Sequence, residues 1–123
     1  MLFSTVPADW DLHLDHVGIN AGGAKEATCI AEQLCAVFGL PERAGQNSTW
    51  AGEIFEVVPS GGRGTHGHIC LSVRSVEAFL KRLGEWNIAA DMTSAKYLPD
   101  GRIKNVYLLE EIGGFAFHIK AAT

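Results

Sequence analysis

The chain carries one pattern twice, and this duplication constrains its fold more than any other feature. A short alternating strand containing a histidine is followed by a helix, and a later strand brings a second side chain able to bind a metal. In the first half, Leu14-Asp15-His16-Val17-Gly18-Ile19 leads to Ile54-Phe55-Glu56-Val57-Val58. In the second, Gly67-His68-Ile69-Cys70-Leu71-Ser72-Val73 leads to Gly114-Phe115-Ala116-Phe117-His118-Ile119. Overlaying the halves sets His16 on His68 and Glu56 on His118, with a longer loop in the second half. Matched positions of this kind point to a site built across a pseudo-symmetric sheet.

The elements between these strands follow from periodicity. Alternation in the first strand puts Asp15, Val17 and Ile19 on one side and Leu14, His16, Gly18 and Asn20 on the other. Gly22-Gly23 breaks the strand, and Ala24 to Phe38 then has helical spacing, with Ala27, Ile30, Ala31, Leu34, Val37 and Phe38 on one stripe. Gly39 ends this helix as a C-cap glycine does. Glu42 to Ala51, punctuated by Gly45 and Asn47, fits two short strands, and Glu53 to Val58 a fourth, closed by Pro59. Ser60 to Gly64 reads as the most flexible stretch, a linker between modules.

After the linker the order restarts. A strand from His66 to Val73 precedes a helix from Ser75 to Leu83 with Ser75 as N-cap. Strands follow near Ile88 to Ala90, Lys104 to Glu110 and Gly114 to Lys120. Alternation turns His68, Cys70 and Ser72 away from the helix, and likewise separates Ala116, His118 and Lys120 from apolar Phe115, Phe117 and Ile119. The expected fold is α+β. Two tandem βαβββ modules, residues 12–59 and 66–121, form a curved, half-open mixed sheet around a central pocket. Residues 1–11 form an N-terminal arm before the single domain 12–123.

Composition narrows the partners. With 123 residues, 47% of them hydrophobic, the chain can build one core without disulfides. A net charge of −4 provides no basic field, which argues against a nucleic-acid groove or an anionic membrane surface and leaves small molecules or proteins. Cys29, Cys35 and Cys70 are odd in number and lie in apolar stretches, so they read as reduced thiols in a cytoplasmic protein. Met1 to Trp10 lacks the basic n-region and long apolar run of a signal peptide, and no stretch approaches roughly 20 apolar residues, so the cytoplasm is the expected location.

The candidate site is a divalent metal, Zn, Ni, Fe or Mn, held by His16, Glu56, His68 and His118, with positions open for water or two substrate oxygens. A single strand histidine is more often a core or surface residue, but four potential ligands at equivalent positions on one face outweigh that reading. Lys96, Tyr97 and Arg102 gather around the loop before the last two strands, where a cation can bind a substrate carboxylate or phosphate. The alternative for them is solvated loop charge.

At these residues the chain resembles the vicinal oxygen chelate superfamily, which includes glyoxalase I, bleomycin-resistance proteins and extradiol dioxygenases. The resemblance covers roughly residues 12–121, nearly the whole domain by the length prior. Gly67-His68-Ile69-Cys70-Leu71-Ser72-Val73 is similar to the strand that opens the second module of bacterial glyoxalase I. Ile54-Phe55-Glu56-Val57 resembles the strand bearing that enzyme's first glutamate ligand, and His16 falls where its first ligand falls. A closer resemblance is to the glyoxalase-like domain fused behind 2-keto-3-deoxy-6-phosphogluconate and hydroxy-oxoglutarate aldolases. It rests on Leu14 to Asn20, Gly39-Leu40-Pro41, Ser94-Ala95-Lys96-Tyr97 and Tyr107 to Phe115.

The resemblance implies a homodimer and a glyoxalase-type, metal-dependent lyase or isomerase that chelates vicinal oxygens of a small oxo- or hydroxy-acid, with Glu56 or His118 moving the proton. It equally admits a non-catalytic ligand-binding protein or an aldolase accessory. One departure stands out: His118 occupies the place of the second glutamate of glyoxalase I, and its reference pKa of about 6.5 makes it a different base.

Overall fold

A computed structural model describes residues 9–122. The first module runs β1 (His13–Asn20), α1 (Ala24–Phe38), β2 (Glu42–Ala44), β3 (Thr49–Ala51) and β4 (Phe55–Val58). The second runs β5 (Gly67–Val73), α2 (Val76–Glu85), β6 (Ala90–Tyr97), β7 (Ile103–Leu108) and β8 (Phe115–Ala121). All eight strands join in one sheet, ordered β2-β3-β4-β1-β5-β8-β7-β6. The fold is therefore α+β, an open mixed sheet built from two βαβββ modules.

Within each module the first and last strands pair in parallel, β1 with β4 and β5 with β8. The modules meet where β1 pairs antiparallel with β5. An antiparallel seam between two copies of one unit makes an approximate two-fold axis, and the register places that axis between Gly18↔His68 and His16↔Cys70. The same operation carries Glu56, opposite Gly18 on β4, onto His118, opposite Cys70 on β8. The duplication in the sequence is thus a duplication in space.

Local chemistry sets the helix ends. Gly39 adopts the left-handed conformation at φ 67°, and the amide of Leu40 bonds the Cys35 carbonyl, closing α1. The Ser75 hydroxyl accepts the Ala78 amide at 3.2 Å and starts α2. Glu77 in the first turn of α2 accepts the amide of Ile103 at 2.7 Å, which ties the helix to β7.

Two apolar cores lie on the helix side of the sheet, and they are unequal. Val73, Val76, Leu83, Ile103, Val106, Leu108 and Ile119 fill the space beneath α2, with Phe79, Trp86 and Trp10 packed against them. At α1 the buried set is Ala27 and Ala31 of the helix and Val57 of β4, with Ala21, Ile30 and Leu34 packed against them. Trp10 belongs to the stretch read as an arm, yet its ring meets Phe79 edge-on at 5.5 Å and its carbonyl accepts the Arg74 amide. The rest of that arm, residues 1–8, lies outside the described residues.

Two other expectations change. The sixth strand, placed near Ile88 to Ala90, runs over Ala90–Tyr97 instead. Its Asp91-Met92-Thr93-Ser94 segment lacks apolar alternation because β6 is the outer strand, and its register to β7 breaks between Asp91 and Lys96. The glycine-rich linker is fastened: the Asn20 amide donates toward the carbonyls of Gly62, Arg63 and Gly64 at 3.4, 3.3 and 2.8 Å. Glu111 accepts the Thr65 amide and hydroxyl.

The seam has a steric requirement. His68, 5% exposed, lays its imidazole over Gly18, and a Cβ on Gly18 would enter the ring. Gly18→Ala is expected to cost about 1–3 kcal/mol through overpacking, read as a lower urea midpoint at unchanged slope. Gly67→Ala costs more, since there a Cβ meets the Gly18 carbonyl at a φ of 148° that side-chain-bearing residues rarely adopt.

Candidate metal centre

Residues opposite one another across a ladder project to the same face, so the register defines the site. One row crosses the sheet as Arg43, Trp50, Glu56, Gly18, His68 and Ala116. The next row, two residues along, is Asp91, Tyr107, His118, Cys70 and His16. These rows are exchanged by the approximate two-fold axis, and they occupy the face away from the helices.

At the centre, three potential ligands converge. His68 Nε2 lies 3.2 Å from Glu56 Oε1 and 3.2 Å from His16 Nε2, and His16 Nε2 is 3.7 Å from the same carboxylate oxygen. The Glu56 pKa is lowered: hydrogen bonding from His68 outweighs the effect of burial, and Ser48 donates to the second oxygen at 2.8 Å. Glu56 is therefore a carboxylate, a pure acceptor.

Asp15 prepares His16. Strict alternation puts Asp15 on the opposite face, but the β1–β5 register shifts between Leu14 and His16, and the bulge brings Asp15 round. Its Oδ2 lies 2.7 Å from His16 Nδ1 and its Oδ1 3.2 Å from Lys120 Nζ. Burial alone would raise the Asp15 pKa, but the bonds from His16 and Lys120 outweigh it and hold the carboxyl below its ordinary value. An ionised carboxylate only accepts, so the His16 proton sits on Nδ1 and the Nε2 lone pair points toward Glu56 and His68. The proton that bridges the centre is then the one on His68 Nε2.

His118 sits in the second row, outside this close group. Its ring stacks on Tyr107 at 4.2 Å, nearly parallel at 6°. Burial first, then the neighbouring His68 and His16, pushes its pKa down to about 4, so the ring is neutral at ordinary pH. The difference from Glu56 traces to the seam. Glu56 is paired with Gly18, which leaves room for convergence, whereas His118 is paired with Cys70, whose side chain is buried. The Cys70 thiol is pushed up to about 12, mainly by burial and by the Asp15 charge, and stays protonated. Its Sγ, the His16 imidazole and the Asp15 carboxylate form a second close group.

Aromatic rings wall the site on both sides. Trp50 meets His16 at 5.0 Å and Tyr107 meets His68 at 6.2 Å, both edge-on. Arg43 lies over Trp50 at 4.7 Å and Arg63 over Tyr107 at 4.4 Å. The three candidate ligands stand on this walled face, His68 buried and His16 and Glu56 partly exposed. A cleft of about 760 Å³ opens elsewhere, between the start of α1 and the β2–β3 turn.

Of the residues expected to bind substrate, none joins the close group. Lys96 is exposed on outer strand β6, opposite Asn105, while Tyr97 pairs with Ile103 of the α2-side core. Arg102 turns onto Asp100, with Nε 2.8 Å from its carboxylate. The side chains that periodicity missed are Asp15, Ser48, Arg43 and Arg63, along with Tyr107 as a wall. Overlaying the halves could have matched Tyr107 with Trp50. A bulge and a linker arginine leave no periodic signal.

No protein-family profile and no curated protein sequence matches the chain. Solved structures do. A hypothetical protein from Bacillus halodurans C-125 superposes with a TM-score of 0.59 at 16% identity, over 91% of this chain and 95% of that one. A variant of Streptomyces coelicolor methylmalonyl-CoA epimerase, in complex with 2-nitronate-propionyl-CoA, gives 0.55 at 14% identity over 90% and 94%. A second methylmalonyl-CoA epimerase structure gives 0.55 at 16% over 89% and 94%. At these identities the likeness establishes architecture alone: the chain shares its fold with these structures.

Proposed function

We propose that the chain is a metal-dependent isomerase or lyase that moves a proton on a small oxo- or hydroxy-acid. The convergence of His16 Nε2, His68 Nε2 and Glu56 Oε1 carries this reading. Two imidazoles and a carboxylate are a borderline donor set suited to Zn, Ni, Fe or Mn. The chain fits an ion there: Glu56 is ionised, and Asp15 turns the His16 lone pair inward. His68 would offer its Nε2 lone pair to an ion as the tautomer that carries its proton on Nδ1.

Bound there, a divalent metal supplies Lewis acidity toward vicinal substrate oxygens. The chain's own residues do the rest. In this reading His118, neutral and on the same face as the candidate ligands, takes a proton from carbon and returns it. Trp50 and Tyr107 flank the reacting centre and limit water. Likeness in fold to structures named as methylmalonyl-CoA epimerase supports the isomerase class and leaves the substrate open.

Protein purified without chelator should hold about one divalent ion per chain by elemental analysis, lost in His68→Ala. Sub-stoichiometric metal that is unchanged by His68→Ala would sink the reading, and ligand-dependent thermal stabilisation that persists in EDTA would identify a binding protein instead. Asp15→Asn should weaken metal binding by about 10–100-fold with little change in melting temperature, the effect of losing a partner that orients a ligand.

The buried His118 sets an acid limit on the metal-free fold. Its folded pKa of about 4 lies below the ordinary 6.5, so as pH falls through that window the unfolded chain takes a proton that the folded chain refuses. Stability should decline from pH 6.5 toward pH 4. In EDTA-treated His118→Gln the urea midpoint should fall less across the same range. That variant should also slow solvent-deuterium exchange at substrate carbon by about 10²–10⁴-fold, screened over small oxo- and hydroxy-acids.

A further inference from the structure

The approximate two-fold axis supplies an internal comparison between the two rims of the site. On each rim a guanidinium lies over an aromatic ring that borders the ligands: Arg43 on Trp50 beside His16, and Arg63 on Tyr107 beside His118. Their charges differ in fate. Both terminal nitrogens of Arg63 lie 3.2 Å from Asp91 Oδ2, so that rim is neutralised. Asp91 occupies the position that the axis equates with Arg43 itself. Among the described residues, no acidic side chain pairs with Arg43. Glu53 lines the same 440 Å³ cleft without forming an ion pair with it.

We infer that the substrate carries a second anionic group, a carboxylate remote from the oxygens at the metal, and that Arg43 on its Trp50 platform binds it. A planar guanidinium held flat on a ring is pre-oriented for a carboxylate, and it loses little side-chain freedom on binding. The unpaired cation also makes the face asymmetric, which selects one orientation of an oxo-diacid over the reverse. This inference rests on the metal reading above and names the substrate class for that site.

The test compares two acids identical except for the remote group, 2-oxoglutarate and 2-oxopentanoate, by titration calorimetry on Zn²⁺-loaded protein. Wild type should bind 2-oxoglutarate about tenfold or more tightly, with the preference shrinking as salt rises. Arg43→Gln should abolish the preference while leaving metal content and 2-oxopentanoate affinity unchanged. Arg43→Lys should retain part of it, and Arg63→Gln should retain all of it. A metal-loaded wild type that treats the acids alike overturns this inference alone, as does a preference that survives Arg43→Gln or disappears in Arg63→Gln. A chain that takes up no metal overturns both readings.

Discussion

Everything at the centre of this molecule depends on one contact, the His68 imidazole lying over the bare Cα of Gly18 across the β1–β5 seam. Antiparallel pairing brings the two first strands together, but side chains on adjacent strands stand about 5 Å apart and would ordinarily pack side by side. Omitting one side chain lets a ring fold down into the gap. That ring then meets a carboxylate from β4 and a second imidazole from β1. On the other side of the axis Cys70 fills the equivalent gap, and His118 stays in its own row against Tyr107. A single difference, glycine against cysteine, turns a symmetric scaffold into an asymmetric site.

That asymmetry divides the chemistry. The half with the gap gathers donors that favour a cation: an ionised Glu56, and a His16 whose outer nitrogen is bonded to Asp15. The filled half provides a buried, uncharged imidazole and an inert thiol. A charged group and a neutral one, a few residues apart, are the arrangement that the proposed proton transfer beside a metal ion would use. The sheet achieves this with backbone register, because rows on a pleated surface are set by hydrogen bonding and leave little room for drift.

Much of this was legible in the sequence. The two modules, the bounds of α1, Gly39, Ser75 and the shared face of His16, Glu56, His68 and His118 follow from periods of 2 and 3.6. What stayed hidden departs from a period. Asp15 reaches the site through a bulge, and Arg63 comes from a linker whose glycines signalled flexibility although Asn20 fastens its carbonyls. The polar outer strand β6 shows no apolar alternation, and Lys96 stands on it three strands away from β5. Cationic side chains beside the ligands come instead from β2 and the linker, where register alone decides proximity.

The uneven cores carry a consequence for motion. Module two rests on a broad apolar layer sealed by Trp10, whereas α1 buries only its own Ala27 and Ala31 against Val57, with Ala21, Ile30 and Leu34 partly buried beside them and Val37 and Phe38 exposed. Regions with few buried apolar contacts open locally at lower free energy than the whole fold, so amide exchange should be graded across the seam, faster in α1 and β4 than in α2 and β8. His16 and Glu56 belong to the looser half. A ligand that bridges the seam would therefore work partly as a staple, transferring rigidity from the well-packed module to the thin one.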